Sequence, residues 1–152
     1  MKAGVPLLVA VLLAVSSWWV LLPVFHLRQP GGPYGIGTLT YHVVDAARHE
    51  VFSTEAGARR ELVVQVWYPA LPARTAPRAR YIPDADAVTR AIATSRHWPS
   101  LTFRRLRDVD SHAVHGAPVA PGEGRYPVLI FLQGLTGFRQ MNTFQVEHLV
   151  SH

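Results

Sequence analysis

An α/β architecture is predicted for this chain: a sheet made of an amino-terminal hairpin and one further buried strand, with a helix after that strand. Three observations carry the prediction. Residues 38–44 and 62–68 are strand-like runs separated by the turn residues Glu55-Ala-Gly57. Residues 128–132 form a short, unbroken aliphatic run, the pattern of a strand covered on both faces. Beyond two glycines, Met141, Phe144, Val146, Leu149 and Val150 recur at helical spacing. Strand, glycine turn and helix therefore follow one another, an arrangement that seats ligands in α/β proteins.

Taken in order, residues 4–25 are an apolar run of roughly 22 residues without a charge, about the length that crosses a bilayer core as a helix. Lys2 precedes the run, and Trp18, Trp19 and Phe25 suit the interfacial zone at its far end. A cleavable signal peptide competes with the anchor, because Ala14-Val-Ser16 offers a small-residue cleavage site. Continuation of the run through Val24 favours the anchor. Lys2 on one side and Arg28 on the other predict a cytoplasmic amino end with the rest outside, or secretion if the signal is cleaved. Gln29-Pro-Gly-Gly-Pro33 reads as a turn-rich linker. The chain thus divides into an anchor or signal at 1–28, a linker at 29–36 and a domain at 37–152.

Within that domain, residues 38–44 alternate as a strand should, and residues 62–68 make a second strand stopped by Pro69. They are expected to pair antiparallel at the edge of the sheet, with residues 128–132 as their partner. Residues 72–80, rich in Pro, Arg and Ala, read as an exposed loop. Asp84 is placed to cap a helix over 85–93, in which Val88 and Ile92 share a face. A second short helix is expected over 101–106, and residues 116–124 are loop.

Composition limits what the chain can do. Its 152 residues suit one domain, 49% of them hydrophobic and 16% charged. The net charge is +5, and Lys2 is the only lysine. No basic helix or aromatic stacking platform accompanies that charge, which argues against nucleic acid. Arg104, Arg105 and Arg107 could attract anionic lipid, but they read more simply as a solvated face. The absence of cysteine removes disulfides and thiolate chemistry. His148 and His152 lie four apart, a spacing that can bind zinc, yet no third ligand stands at a clear spacing. His112 and His115 read as loop or capping residues, Asp84 and Asp86 as helix capping, and Trp67 and Tyr68 as sheet packing. No cofactor or metal is expected.

The stretch Tyr126-Pro-Val-Leu-Ile-Phe-Leu-Gln-Gly-Leu-Thr-Gly-Phe-Arg139, followed by Phe144-Gln-Val-Glu-His-Leu-Val-Ser-His152, resembles the oxyanion-loop region of α/β-hydrolases related to platelet-activating-factor acetylhydrolase. Arg60-Glu-Leu-Val-Val-Gln-Val-Trp-Tyr-Pro-Ala70 is similar to that family's second strand, and Asp45-Ala-Ala-Arg48 and His112-Ala-x-x-Gly-Ala-Pro118 stand in the family's order. The resemblance runs over residues 34–152. It implies an incomplete α/β-hydrolase sheet and hydrolysis of carboxylic esters, with an ester or phospholipid-like substrate. It assigns the Leu135 amide as an oxyanion donor, supported by Gln133, Gly134, Gly137 and Phe138. Gln133 is a departure, since the family usually has His before the turn glycine; its amide either replaces the imidazole or faces solvent.

A larger departure is that no Gly-x-Ser-x-Gly elbow occurs, and none of Ser16, Ser17, Ser53, Ser95, Ser100, Ser111 and Ser151 has elbow flanks. The nucleophile, its His base and the orienting Asp are therefore expected outside this sequence, and the chain alone is expected to be inactive. Two other readings stand beside this one: a membrane-tethered, non-catalytic binding domain or enzyme relic, and a half that joins a separate carboxy-terminal half.

Overall fold

A long hairpin organises the domain. In the computed structural model, which describes residues 4–21, 25–122, 125–134 and 137–152, strands β1 (Gly35–His49) and β2 (Arg59–Ala70) pair antiparallel, with Ile36 opposite Pro69 and Val43 opposite Leu62. Both extend beyond the runs read from sequence. At their junction the Ala58 N–H bonds the Glu55 carbonyl at 3.2 Å. Gly57 takes φ 86° there, a left-handed conformation that costs glycine little because it has no Cβ.

Near its far end β1 bulges, the register slipping between Asp45 and His49. The Asp45 carboxylate fills the bulge, accepting from Arg48 Nε at 2.6 Å and from the Ala47 N–H at 2.9 Å. The bond from Arg48 holds the Asp45 carboxyl below its ordinary value. Gly37 faces Tyr68 across the pair, and a Cβ at Gly37 would lie 2.3 Å from that ring. Glycine there lets Tyr68 lie across β1 and donate to the Ala117 carbonyl at 2.8 Å.

The third strand is not the predicted one. Strand β3 (Ala113–His115) pairs parallel with β1, Ile36 opposite Ala113, and the sheet order is β2-β1-β3. Residues 128–132 are not in a strand, and Val128 and Leu132 are 86% and 82% exposed. The reason is pairing. A strand persists only where a neighbour meets its N–H and C=O groups; β2 and β3 already occupy both sides of β1, and no described strand lies beside residues 128–132. Aliphatic composition supplies propensity, not a partner.

Helix α2 (Ala85–Arg96) outlasts the predicted 85–93 and ends with His97 at φ 55°, where the Trp98 N–H bonds the Ala93 carbonyl at 2.9 Å, a left-handed cap. Asp84 precedes the helix but makes no side-chain cap; its backbone carbonyl accepts from Ala87 and Val88 instead. A 3₁₀ helix (Ser100–Asp108) covers the predicted 101–106 and packs on α2. Between these elements Tyr81, Ile82, Ala85 and Val109 form the core cluster, joined by Leu27, Val88, Leu106 and Phe138.

Helix α3 (Thr143–Val150) buries its polar side. Thr143, Glu147 and the following Ser151 are spaced four apart and buried, while Met141, Phe144 and Leu149 stay exposed. Such a face is tolerable because every buried polar group finds a partner. The segment read as a linker is tied to this helix end: the Gly31 N–H donates to His148 Nδ1 at 3.3 Å, the Gly32 N–H to Ser151 Oγ at 3.0 Å, and the Tyr34 N–H to the Ser151 carbonyl at 3.1 Å.

Helix α1 (Gly4–Leu21) has 18 residues and rises about 27 Å, short of a hydrocarbon core of about 30 Å. Among the described residues no helix is long and apolar enough to cross a membrane, so the predicted crossing by residues 4–25 is not carried by the structure. The apolar run in sequence is longer than the helix described within it. The side chains of Trp18 and Trp19 lie outside the described part. Phe25 meets Tyr81 edge-on at 5.6 Å.

Candidate active site

The turn after the aliphatic run is closed by its own backbone: the Gly137 N–H donates to the Gly134 carbonyl at 2.8 Å. That bond occupies the Gly137 amide, so Gly137 cannot offer a donor to a ligand. Leu135, the predicted donor, and Thr136 lie outside the described residues. Gln133 and Gly134 are exposed, and Gln133 makes no side-chain hydrogen bond among the described residues. The two glycines differ in their surroundings. A Cβ on Gly137 would lie 3.2 Å from the Gly134 carbonyl oxygen and 3.2 Å from the Met141 sulfur, so a side chain there would press on both neighbours. A Cβ on Gly134 would meet nothing among the described residues.

The turn is held from its carboxyl side. Phe138 packs into the Tyr81, Ile82, Ala85 and Val109 cluster. Arg139 Nε donates to Gln65 Oε1 at 3.3 Å. The Gln140 amide, oriented with its oxygen toward the guanidinium, accepts from Arg139 Nη2 at 3.1 Å. Gln65 in turn donates to Thr38 Oγ1 at 3.2 Å, which ties the segment to the middle of the hairpin. Burial pushes the Arg139 guanidinium below its ordinary value, and the Asp84 carboxylate opposes that shift.

The remaining candidates fall into structural roles. Asp86 pairs with Arg107 at 2.8 Å, and Trp67 and Tyr68 lie in β2. His148 and His152 stack edge-on at 4.7 Å. Each has its Nδ1 engaged, one with the Gly31 amide and the other with the His148 carbonyl, and no group of three ligating side chains able to hold a metal occurs among the described residues. An open depression of about 420 Å³ at the start of α2 is lined by Arg80, Asp84, Asp86, Arg90 and Arg107. No residue of the turn lines it, and Arg80 and Arg107 are paired with Asp110 and Asp86.

Glu147 was not singled out by sequence reasoning. It has no exposed surface, and its two oxygens accept from the His112 N–H at 2.7 Å and from His112 Nδ1 at 2.9 Å. The available signal was a carboxylate spaced four from Thr143 and Ser151, a polar stripe along one face of the helix.

The model of the family described as platelet-activating factor acetylhydrolase, isoform II, matches residues 23–152. Among solved structures, a ferulic acid esterase from Streptomyces cinnamoneus is 35% identical with a TM-score of 0.51, the match covering 66% of this chain and 26% of that one. The present chain thus spans about a quarter of the esterase's length. No curated protein matches. The matched residues take in the hairpin, the polar network, the glycine turn and α3 together, and the chain belongs to the platelet-activating factor acetylhydrolase, isoform II, family.

Proposed function

We propose that this polypeptide supplies the oxyanion side of a carboxylic-ester hydrolase. The ester class rests on the family and on the esterase neighbour; short acyl esters, including those on lipids, are the proposed substrates. Attack on an ester carbonyl creates a tetrahedral oxyanion, and a backbone N–H aimed at that oxygen lowers the barrier. With the Gly137 amide bonded to the Gly134 carbonyl, the Leu135 amide is the proposed donor. The observation that carries this reading is the contrast between the glycines. A Cβ on Gly137 would crowd the Gly134 carbonyl oxygen and the Met141 sulfur, whereas one on Gly134 would meet nothing among the described residues, as suits a position where backbone approaches a ligand. The serine nucleophile, its His base and its Asp come from a segment this sequence does not include.

The uncovered apolar surfaces support the same reading. Residues 128–132 are exposed, as are Met141, Phe144 and Leu149 beside α3. A self-contained binding domain would cover such surfaces, whereas a hydrolase sheet lacking strands leaves them open for the strands that carry the triad. For localisation, α1 is apolar and its residues 8–15 are exposed throughout. A helix apolar all round belongs in a protein core or a membrane, so α1 is proposed as an export signal or membrane-associating segment with the domain outside the cytoplasm.

Hydrolysis of p-nitrophenyl acetate tests the proposal. The 152-residue chain alone should give no turnover above solvent. A product of the same reading frame extended to a Gly-x-Ser-x-Gly should hydrolyse the ester. In that product Leu135→Pro, which removes the amide proton, should lower kcat by about 10²- to 10³-fold with little change in KM. Absence of hydrolysis by the extended product rejects the reaction; an unchanged kcat in L135P rejects the donor. If no frame continues to that motif, the tethered binding domain becomes the better account.

A further inference from the structure

Among the described residues Glu147 is the only buried carboxylate. Removing a carboxylate from water is costly unless its lone pairs are met, and here both oxygens are engaged by one residue. Oε1 accepts the His112 backbone N–H at 2.7 Å and Oε2 faces His112 Nδ1 at 2.9 Å. His112 is itself mostly buried, its side chain 14% exposed, and it leads directly into Ala113, which pairs with Ile36 on β1. This two-pronged contact therefore joins α3 to the sheet.

What α3 carries lies just upstream of it. From Glu147 back to the glycine turn the backbone is bonded stepwise: Val146 to Asn142 at 3.0 Å, Thr143 to Gln140 at 3.1 Å, Met141 to Phe138 at 3.1 Å and Gly137 to Gly134 at 2.8 Å. The Thr143 hydroxyl adds a bond to the Gln140 carbonyl at 2.8 Å. A shift of α3 along its axis would pass through this ladder to the turn. The opposite side of the turn, residues 128–134, is exposed and joins no strand, so its placement comes from the α3 side.

We propose that Glu147 is a positioning residue: by gripping His112 it fixes α3 on the β3 side of the sheet and thereby sets the Gly134–Phe138 turn. It touches no reacting atom. The same contact puts the proton of neutral His112 on Nδ1 and leaves the lone pair on Nε2, the tautomer less common in water. The catalytic consequence rests on the oxyanion reading above; the grip itself does not.

The test uses the full 152-residue chain, ¹⁵N-labelled in a mild non-ionic detergent at a pH where imidazole is neutral. Long-range ¹H–¹⁵N correlation reads the His112 tautomer, and amide exchange reads the turn. Wild type should show the Nδ1–H form. In Glu147→Gln the new amide can donate to Nδ1, so the proton should move to Nε2. In Glu147→Ala, which removes both prongs, the Gly137 and Met141 amides should exchange at least ten-fold faster, with the Leu39 and Val66 amides unchanged. His112→Ala, which keeps only the backbone bond, should give a smaller acceleration. An Nε2–H tautomer in wild type overturns the proposal without any variant, so the test survives a variant that fails to fold. Unchanged turn amides in E147A, with α3 amides alone accelerated, overturn it too. The oxyanion reading is decided separately by Leu135→Pro in the extended enzyme, and its failure would leave these readouts as predicted.

Discussion

Replacing Gly32 by alanine tests whether the strap at residues 31–34 belongs to the folded domain or merely links to it. A Cβ at this position would lie 1.9 Å from the Ser151 carbonyl oxygen and 2.3 Å from its carbon, far inside van der Waals contact with backbone that cannot rotate away. The strap must lift, breaking the bonds from Gly31 to His148 Nδ1, from Gly32 to Ser151 Oγ and from Tyr34 to the Ser151 carbonyl. Each is worth about 1 kcal/mol net. Against the resulting ~3 kcal/mol stands a gain of about 0.4–1 kcal/mol from the lower entropy of unfolded alanine. The expected loss is therefore about 2–3 kcal/mol. Urea unfolding of the full chain in non-ionic detergent, followed by far-UV circular dichroism at constant m, measures it directly. For a domain of this size the thermal midpoint should fall by roughly 5–10 °C. Gly134→Ala is the control, because its Cβ meets nothing among the described residues and should change stability by less than about 0.5 kcal/mol. If G32A matches G134A, the strap contacts contribute nothing and the segment is a linker after all.

Phe138→Ala should cost about 2 kcal/mol, below the fully buried range because this ring is only partly covered by the Tyr81, Ile82, Ala85 and Val109 cluster; a loss under about 0.5 kcal/mol in the same urea assay would mean that the turn is not anchored in the core. Burial raises the Tyr81 phenol above its ordinary value, so its neutral form favours the folded state. The resulting stability is complete below about pH 10 and is lost as pH climbs through the raised value, with a slope of at most about 1.4 kcal/mol per pH unit for one proton. Urea midpoints between about pH 9 and 11 should fall in wild type and fall less in Tyr81→Phe. Tyr68, raised by burial and by Tyr41, leaves a residual slope, and identical slopes in the two proteins would refute the assignment. Arg139→Met should loosen the turn by removing the donors to Gln65 and Gln140, read as faster exchange of the Gly137 amide; unchanged exchange would mean that Phe138 and α3 suffice.

Much of the local structure was legible because it depends on local chemistry. The hairpin follows from two β-rich runs around Glu55-Ala-Gly57, and α2 and the 3₁₀ helix follow from periodicity near the residues predicted. Asp84 precedes its helix as expected but caps with backbone only, since cap geometry depends on side-chain rotamers that composition does not specify. The glycine turn was legible in its spacing, although its predicted donor, Leu135, lies outside the described residues.

The sequence alone determined where backbone can turn, where an apolar run begins, and which family's motifs the chain carries. Tertiary structure alone decided who pairs with whom. The aliphatic run 128–132 reads as a strand covered on both faces and stands unpaired, while three residues from Ala113 to His115 take the place beside β1. Nor could helical spacing reveal that α3 turns Thr143, Glu147 and Ser151 inward. Strand pairing and the burial of polar groups are settled by groups distant in sequence. The hydrogen bonds that make Glu147 tolerable come from a residue 35 positions away, and the one that holds the Ser151 hydroxyl oxygen from a residue 119 positions away.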